Sequence, residues 1–231
     1  MSKSRISSAP GACNTSHVAY SVPVSTERQG QLYTPCFVAG TLIKTDAGEV
    51  PAEQIVPGMR ALTRDNGYQT VVWAGQRSLQ SEQLAAAPHL MPVRIRAGAL
   101  GPGLPEADLS VSPQHRMLLS NPQIRKWFQS DEVLIAAEHM LCYPGIDRAE
   151  LSQVTYVHFM FEQHEIVLAN GSWSESFQPR DMRVGSMDSA HRAEILEIFP
   201  ELEDDCAGYE AARLTLSPAA ARVIEPLVRK A

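Results

Sequence analysis

At 231 residues, 44% hydrophobic and 20% charged, the chain is long enough to bury a sizeable core and has the composition of an ordinary soluble globular protein. A net charge of −6 with scattered Lys and Arg leaves no basic footprint, so nucleic acid is not expected as a partner. The longest apolar runs, such as Val133-Leu-Ile-Ala-Ala137, fall far short of the roughly 20 residues of a membrane helix.

No membrane partner is expected, and residues 1–34 lack the apolar stretch of a secretory signal, so the chain reads as cytoplasmic. These residues are rich in Ser, Gly, Pro and Thr without a sustained period, which predicts a mobile arm with at most a short strand over 17–24. From residue 35 to 179 β signals run almost throughout. The alternation Thr41-Leu-Ile-Lys-Thr45 reads as a strand with Leu42 in the core, and Asp46-Ala-Gly48 turns it back. Asn66-Gly67 predicts a two-residue hairpin turn, followed by a strand over Val71-Val-Trp73. Residues 98–105 form a Gly/Pro-rich loop, and 121–131 read as a second connection. Trp73 and Trp173 are expected in the core. A faint echo joins two segments: Val50-Pro-Ala-Glu53-Gln-Ile and Leu134-Ile-Ala-Ala-Glu138-His-Met both put an apolar-Ala-Glu-x-apolar run after a strand.

Beyond residue 179 the spacing of Ile195, Ile198, Phe199 and Leu202 predicts a helix over 186–200. Ser217-Pro218 is a second helix start that Pro226 should kink or end. The 180–231 segment is therefore read as a helical extension, open to a protein partner. The acidic run 201–205 lacks the Gly turn and ligand ladder of a calcium loop. His139-x-x-Cys142 offers two zinc ligands where a full site needs more. No cofactor or metal is expected. Cys13, Cys36, Cys142 and Cys206 show no framework spacing, which fits reduced thiols.

The most informative stretch is Cys36-Phe-Val-Ala-Gly-Thr-Leu-Ile-Lys-Thr45 with Val50-Pro-Ala-Glu-Gln-Ile-Val-Pro-Gly58 and Leu62-Thr-Arg-Asp-Asn-Gly67 behind it. A cysteine at the mouth of a β segment has its own preceding peptide bond within reach. These residues resemble the opening block of the Hedgehog/intein (Hint) family, most nearly its bacterial stand-alone members. Leu109-Ser-Val-Ser-Pro-Gln-His115-Arg is similar to the family's Thr-x-x-His block, with Ser112 in the threonine place. Val157-His-Phe-Met-Phe-Glu-Gln-His164-Glu-Ile-Val and Asn170-Gly-Ser-Trp-Ser-Glu-Ser176 resemble the closing strands.

The resemblance implies a mainly β fold of two pseudo-symmetric halves with a C-terminal helical tail. It also implies autoprocessing: attack of the Cys36 thiol on the Pro35 carbonyl gives a thioester that water or an external nucleophile resolves, with the chain's own N-terminal segment as substrate. A thiol with a pKa near ~8.5 needs a base, and the departing amide nitrogen needs a proton. His115 is the expected histidine, Ser112 would donate a hydrogen bond to the scissile amide, and His164 is a second acid–base candidate. Backbone N–H groups near Gly40 or His115 are candidates for the oxyanion. Two departures count against full splicing: Asn170 lies between Ala169 and Gly171, and the chain continues to Ala231. Nor is there room for a homing-endonuclease insertion. Pro35 offers a hindered carbonyl. The alternatives are a catalytically inactive Hint-fold interaction module and a Cys/His hydrolase acting in trans.

Overall fold

The computed structural model describes residues 35–178 and 209–228. The expectations for residues 1–34, the helix over 186–200 and the acidic run 201–205 lie outside the described residues. The first half runs Phe37–Val38 (β1), Leu42–Thr45 (β2), Gly48–Pro51 (β3), Arg60–Thr63 (β4), Gly67–Thr70 (β5), Trp73–Gln80 (β6) and the helix Ser81–Ala86 (α1). There follow Val93–Ile95 (β7), Leu109–Val111 (β8), Arg116–Ser120 (β9), the helix Pro122–Phe128 (α2), Glu132–Ala136 (β10) and Ile146–Arg148 (β11). Gln153–Met160 (β12), Ile166–Ala169 (β13), Ser172–Glu175 (β14), Leu214–Thr215 (β15) and the helix Pro218–Val228 (α3) complete the described chain.

The fold is mainly β, in two sheets. One has six strands in the order β11-β7-β8-β1-β12-β6; the other has nine, in the order β15-β10-β9-β14-β13-β2-β4-β5 with β3 paired to β2. A single buried cluster draws Phe37, Val111 and Val157 from the first sheet and Ile43, Met117 and Ile135 from the second. Side chains alternate along a strand, so β12 sends Val157 and Phe159 into this cluster while Val154 and Tyr156 join a smaller one with Cys36.

The sequence echo corresponds to a structural repeat. In each half a strand pair, β2·β3 or β9·β10, runs into a 3-10 turn that opens on a fully buried alanine, Ala52 or Ala137. The Ala52 N–H donates to Thr41 O (2.7 Å), and the Ala137 N–H to His115 O (2.9 Å). Both alanines belong to the main core cluster. The glutamate that follows ties each turn to the segment before its hairpin: Glu53 accepts from the Gly40 N–H and Glu138 from the Gln114 side chain.

Several expectations are corrected. Leu42 is 37% exposed and Ile43 is the core residue, because two adjacent apolar residues cannot face the same side of a strand. The β4–β5 turn spans three residues, with Thr63 paired to Gly67 and the Thr63 hydroxyl donating to Gly67 O (2.8 Å). Val71 is not in a strand; its N–H donates to Met59 O and its C=O accepts from Gly58, and β6 starts at Trp73. Residues 121–131 contain α2, capped by Asn121, whose side chain accepts from the Gln123 N–H (2.7 Å), with Pro122 in its first turn. Helix α3 begins at Pro218 as expected but runs through Pro226 to Val228. Trp73 is buried, whereas Trp173 is half-buried beneath Arg64, whose guanidinium lies 5.3 Å from the ring centre.

Segment 209–228 is packed into the domain. Strand β15 lies parallel to β10, Leu216, Ala221 and Ile224 join the main core, and Tyr143 Oη donates to Ala221 O (3.2 Å). Ile43→Ala is expected to cost roughly 2–5 kcal/mol by opening a cavity, and Leu42→Ala less than about 1 kcal/mol. Urea unfolding of both variants beside the wild type checks this pair.

Candidate functional site

Strand β1 has only two residues but neighbours on both sides. Phe37 pairs with Val111 of β8 and with Val157 of β12. Continuing each antiparallel register by one rung sets Cys36 beside Ser112 on one flank and His158 on the other. Across β12 the same rung reaches Gly75 of β6. The row Ser112, Cys36, His158, Gly75 therefore crosses four strands.

The contacts along it are short. The Cys36 N–H donates to Ser112 Oγ (2.9 Å), and the Ser112 N–H donates to Cys36 O (2.9 Å). Ser112 thus accepts from the amide nitrogen of the Pro35–Cys36 bond, where a hydrogen bond donated by Ser112 was expected. The Cys36 Sγ lies 3.0 Å from His158 Nδ1. The histidine against the thiol is the one in the closing block to which sequence reasoning gave no role. Its motif neighbours were visible; the register that brings it to Cys36 was not.

His158 is held by aromatic rings. Trp73 stacks on it with centroids 5.5 Å apart and planes 6° from parallel, and Phe177 tilts against both rings at 5.9 Å. Gly75 makes this possible, since a Cβ there would fall 2.5 Å from Trp73 Cη2 and 3.4 Å from His158 Cδ2.

His115 follows Ser112 through a tight turn in which the His115 N–H donates to Ser112 O (3.0 Å). Its ring packs edge-on against Phe37, centroids 4.5 Å apart, and neither ring nitrogen has a hydrogen-bond partner among the described residues. Of the amides considered for the oxyanion, Gly40 donates to Glu53 and His115 to Ser112, so both are already engaged. His164 is fully enclosed. Its Nδ1 accepts from the Ala212 N–H (2.9 Å) and its Nε2 lies 3.4 Å from Glu175 Oε2. Glu175 also accepts from the Arg116 N–H (2.8 Å) and from Arg116 Nη1 (2.9 Å).

Burial governs the electrostatics. It pushes the Cys36 thiol up, more than Ser112 and Arg77 offset. It brings His115 down to about 4, with Glu175 opposing and Arg116 assisting. Burial would raise the Glu175 carboxyl, yet Arg116 and His164 outweigh it and hold Glu175 below the ordinary carboxylate range. At neutral pH the pocket therefore holds a protonated thiol and a neutral His115.

Two outcomes are expected. The folded His115 pKa lies below its unfolded value of 6.5, so the unfolded chain binds more protons between the two. This contribution to stability is complete above pH 6.5 and is lost as pH falls toward 4, amounting to about 3 kcal/mol. Denaturant unfolding across that range, with His115→Phe flattening the slope, checks it. Gly75→Ala should destabilise by roughly 1–3 kcal/mol by displacing Trp73, and should change the rate at which Cys36 reacts with iodoacetamide.

A family model described as the Hint domain matches residues 35–181. No curated protein matches significantly. Among solved structures, the chain is similar to the crystal structure of the gp41-1 intein at 10% identity, covering 61% of this chain and 97% of that one, with a TM-score of 0.37. It is similar to a bacterial intein-like domain from Clostridium thermocellum at 14% identity, covering 61% and 97%, with a TM-score of 0.37. The Ssp DnaB mini-intein variant is 10% identical over 66% of this chain and 98% of its own, with a TM-score of 0.39. With the model spanning more than half of its length, the chain belongs to the Hint domain family, whose fold is suited to autoprocessing.

Proposed function

We propose that this protein is an autoprocessing Hint domain that cleaves the Pro35–Cys36 bond through Cys36, releasing or transferring the segment that precedes it. The observation that carries this reading is the double engagement of one residue. The Cys36 thiol is 3.0 Å from His158 Nδ1 while its amide N–H is held by Ser112 Oγ at 2.9 Å.

Because burial disfavours the free thiolate, proton transfer to His158 accompanies attack. The sulfur forms a bond to the Pro35 carbonyl carbon, and the thiol proton passes to His158 Nδ1. The C–N bond then breaks, its electron pair stays on the Cys36 nitrogen, and a proton must reach that nitrogen. The proton that His158 took from the thiol is the one available to that nitrogen, while Ser112 Oγ, 2.9 Å away, holds the amide in place. Water adds to the thioester, leaving a Pro35 carboxylate and a free Cys36 thiol; an external amine or thiol in its place gives transfer. With Cys36 buried, attack on the adjacent peptide bond is favoured over hydrolysis of a separate substrate, which would need an open cleft.

The reading is tested by mass spectrometry of the purified chain with and without hydroxylamine. A fragment ending at Pro35 is expected, absent from Cys36→Ala and slowed about 100-fold or more in His158→Ala. Pro35→Gly should accelerate cleavage by relieving the hindered carbonyl. If both the wild type and Pro35→Gly stay intact, the autoprocessing reading is wrong and a non-catalytic Hint-fold module takes its place.

A further inference from the structure

The Hint match ends at residue 181, yet segment 209–228 reaches back to the buried charges beside His115. Tyr209 Oη donates to Phe161 O (3.0 Å), the Ala212 N–H to His164 Nδ1 (2.9 Å), and Arg213 pairs with Glu132 and Asp65. A ring nitrogen that accepts a backbone N–H carries no proton, so neutral His164 holds its hydrogen on Nε2, which faces Glu175. Glu175 in turn accepts the Arg116 N–H, the first amide of β9 and the one next to His115. A line of contacts thus runs from Ala212 through His164, across the 3.4 Å approach of its Nε2 to Glu175 Oε2, and on through Arg116 to the segment bearing His115.

We infer that His164 is a positioning residue and not an acid–base group, and that segment 209–216 is a working part of this centre. Both ring nitrogens of His164 face partners that serve structure, and the side chain is completely enclosed. A proton shuttle needs one nitrogen facing the reacting atoms. His164 instead ties a loop outside the matched domain to the carboxylate that orients the 115–116 backbone. This inference rests on the autoprocessing reading only for its kinetic consequence.

Glutamine can repeat both contacts, its carbonyl oxygen accepting from Ala212 and its amide donating to Glu175, but cannot shuttle a proton. His164→Gln should therefore cleave within about threefold of the wild type, and His164→Leu at least about tenfold more slowly. Equal loss in the two variants at matched unfolding midpoints would make His164 an acid–base group, and full activity of His164→Leu would remove any role; either overturns the inference. Should His164→Leu not fold, Ala212→Pro deletes the donor and keeps the ring, with the same slowing expected and an unchanged rate overturning it. Long-range proton–nitrogen NMR of the full chain reads the tautomer without any turnover. Nε2–H alone is expected for His164, and Nδ1–H overturns the inference. A chain that never cleaves but shows the Nε2–H tautomer, perturbed by Ala212→Pro, would sink the autoprocessing reading and leave the positioning role standing.

Discussion

The site depends on one short strand being hydrogen-bonded on both edges. A two-residue strand has no stability of its own, and β1 is ordered because β8 and β12 grip it from either side. That double pairing fixes the Cys36 backbone to Ser112 and its side chain to His158 in a single step. It also sends neighbouring side chains to opposite faces. Phe37 enters the main core and anchors the strand, while Cys36, one residue earlier, turns to the opposite face and packs in the smaller cluster with Leu79 and Tyr156.

Around this strand the two halves of the domain carry the same device at different points. Each buries an alanine at the start of a 3-10 turn and closes it on the residue just ahead of a hairpin, Thr41 in one half and His115 in the other. The repeat thus gives His115 a backbone that is already constrained for structural reasons. Glu175 adds a second restraint from β14 through the Arg116 amide. A buried carboxylate is costly without compensation, and here Arg116 and His164 supply it.

Local chemistry was legible in the sequence, and long-range register was not. The cysteine motif, the Gly48 turn and the Ser217-Pro218 helix start each depend on a few contiguous residues, and each was readable. The Asn121-Pro122 cap of α2 was equally local, but a seven-residue helix has too little periodicity to stand out from a loop. Leu42 and Ile43 show the limit of alternation: with two apolar residues side by side, the pattern fits either face until the partner strand is known. His158 marks the larger gap. It meets Cys36 across 122 positions of sequence, because β12 pairs at one register and not at another, and nothing in either segment specifies that offset.

Asn170 lies at the tip of the β13–β14 hairpin in a left-handed conformation, with φ 43°, followed by Gly171 at φ 75°. Attack of the Asn170 side-chain nitrogen on its own backbone carbonyl would break the chain, whereas attack of the Gly171 amide nitrogen on the side-chain carbonyl would release ammonia and leave the chain intact; both require the carboxamide to turn. Here the carboxamide is held at both ends: its oxygen accepts from the Leu42 N–H at 2.7 Å, and its nitrogen donates to Asp108 O at 2.9 Å. Either reaction would have to break both bonds, while the Asn170 N–H still holds Leu42 O at 2.9 Å. The Asn170 side chain is thereby a clasp that joins the hairpin tip to the start of β2 and to the Asp108 segment.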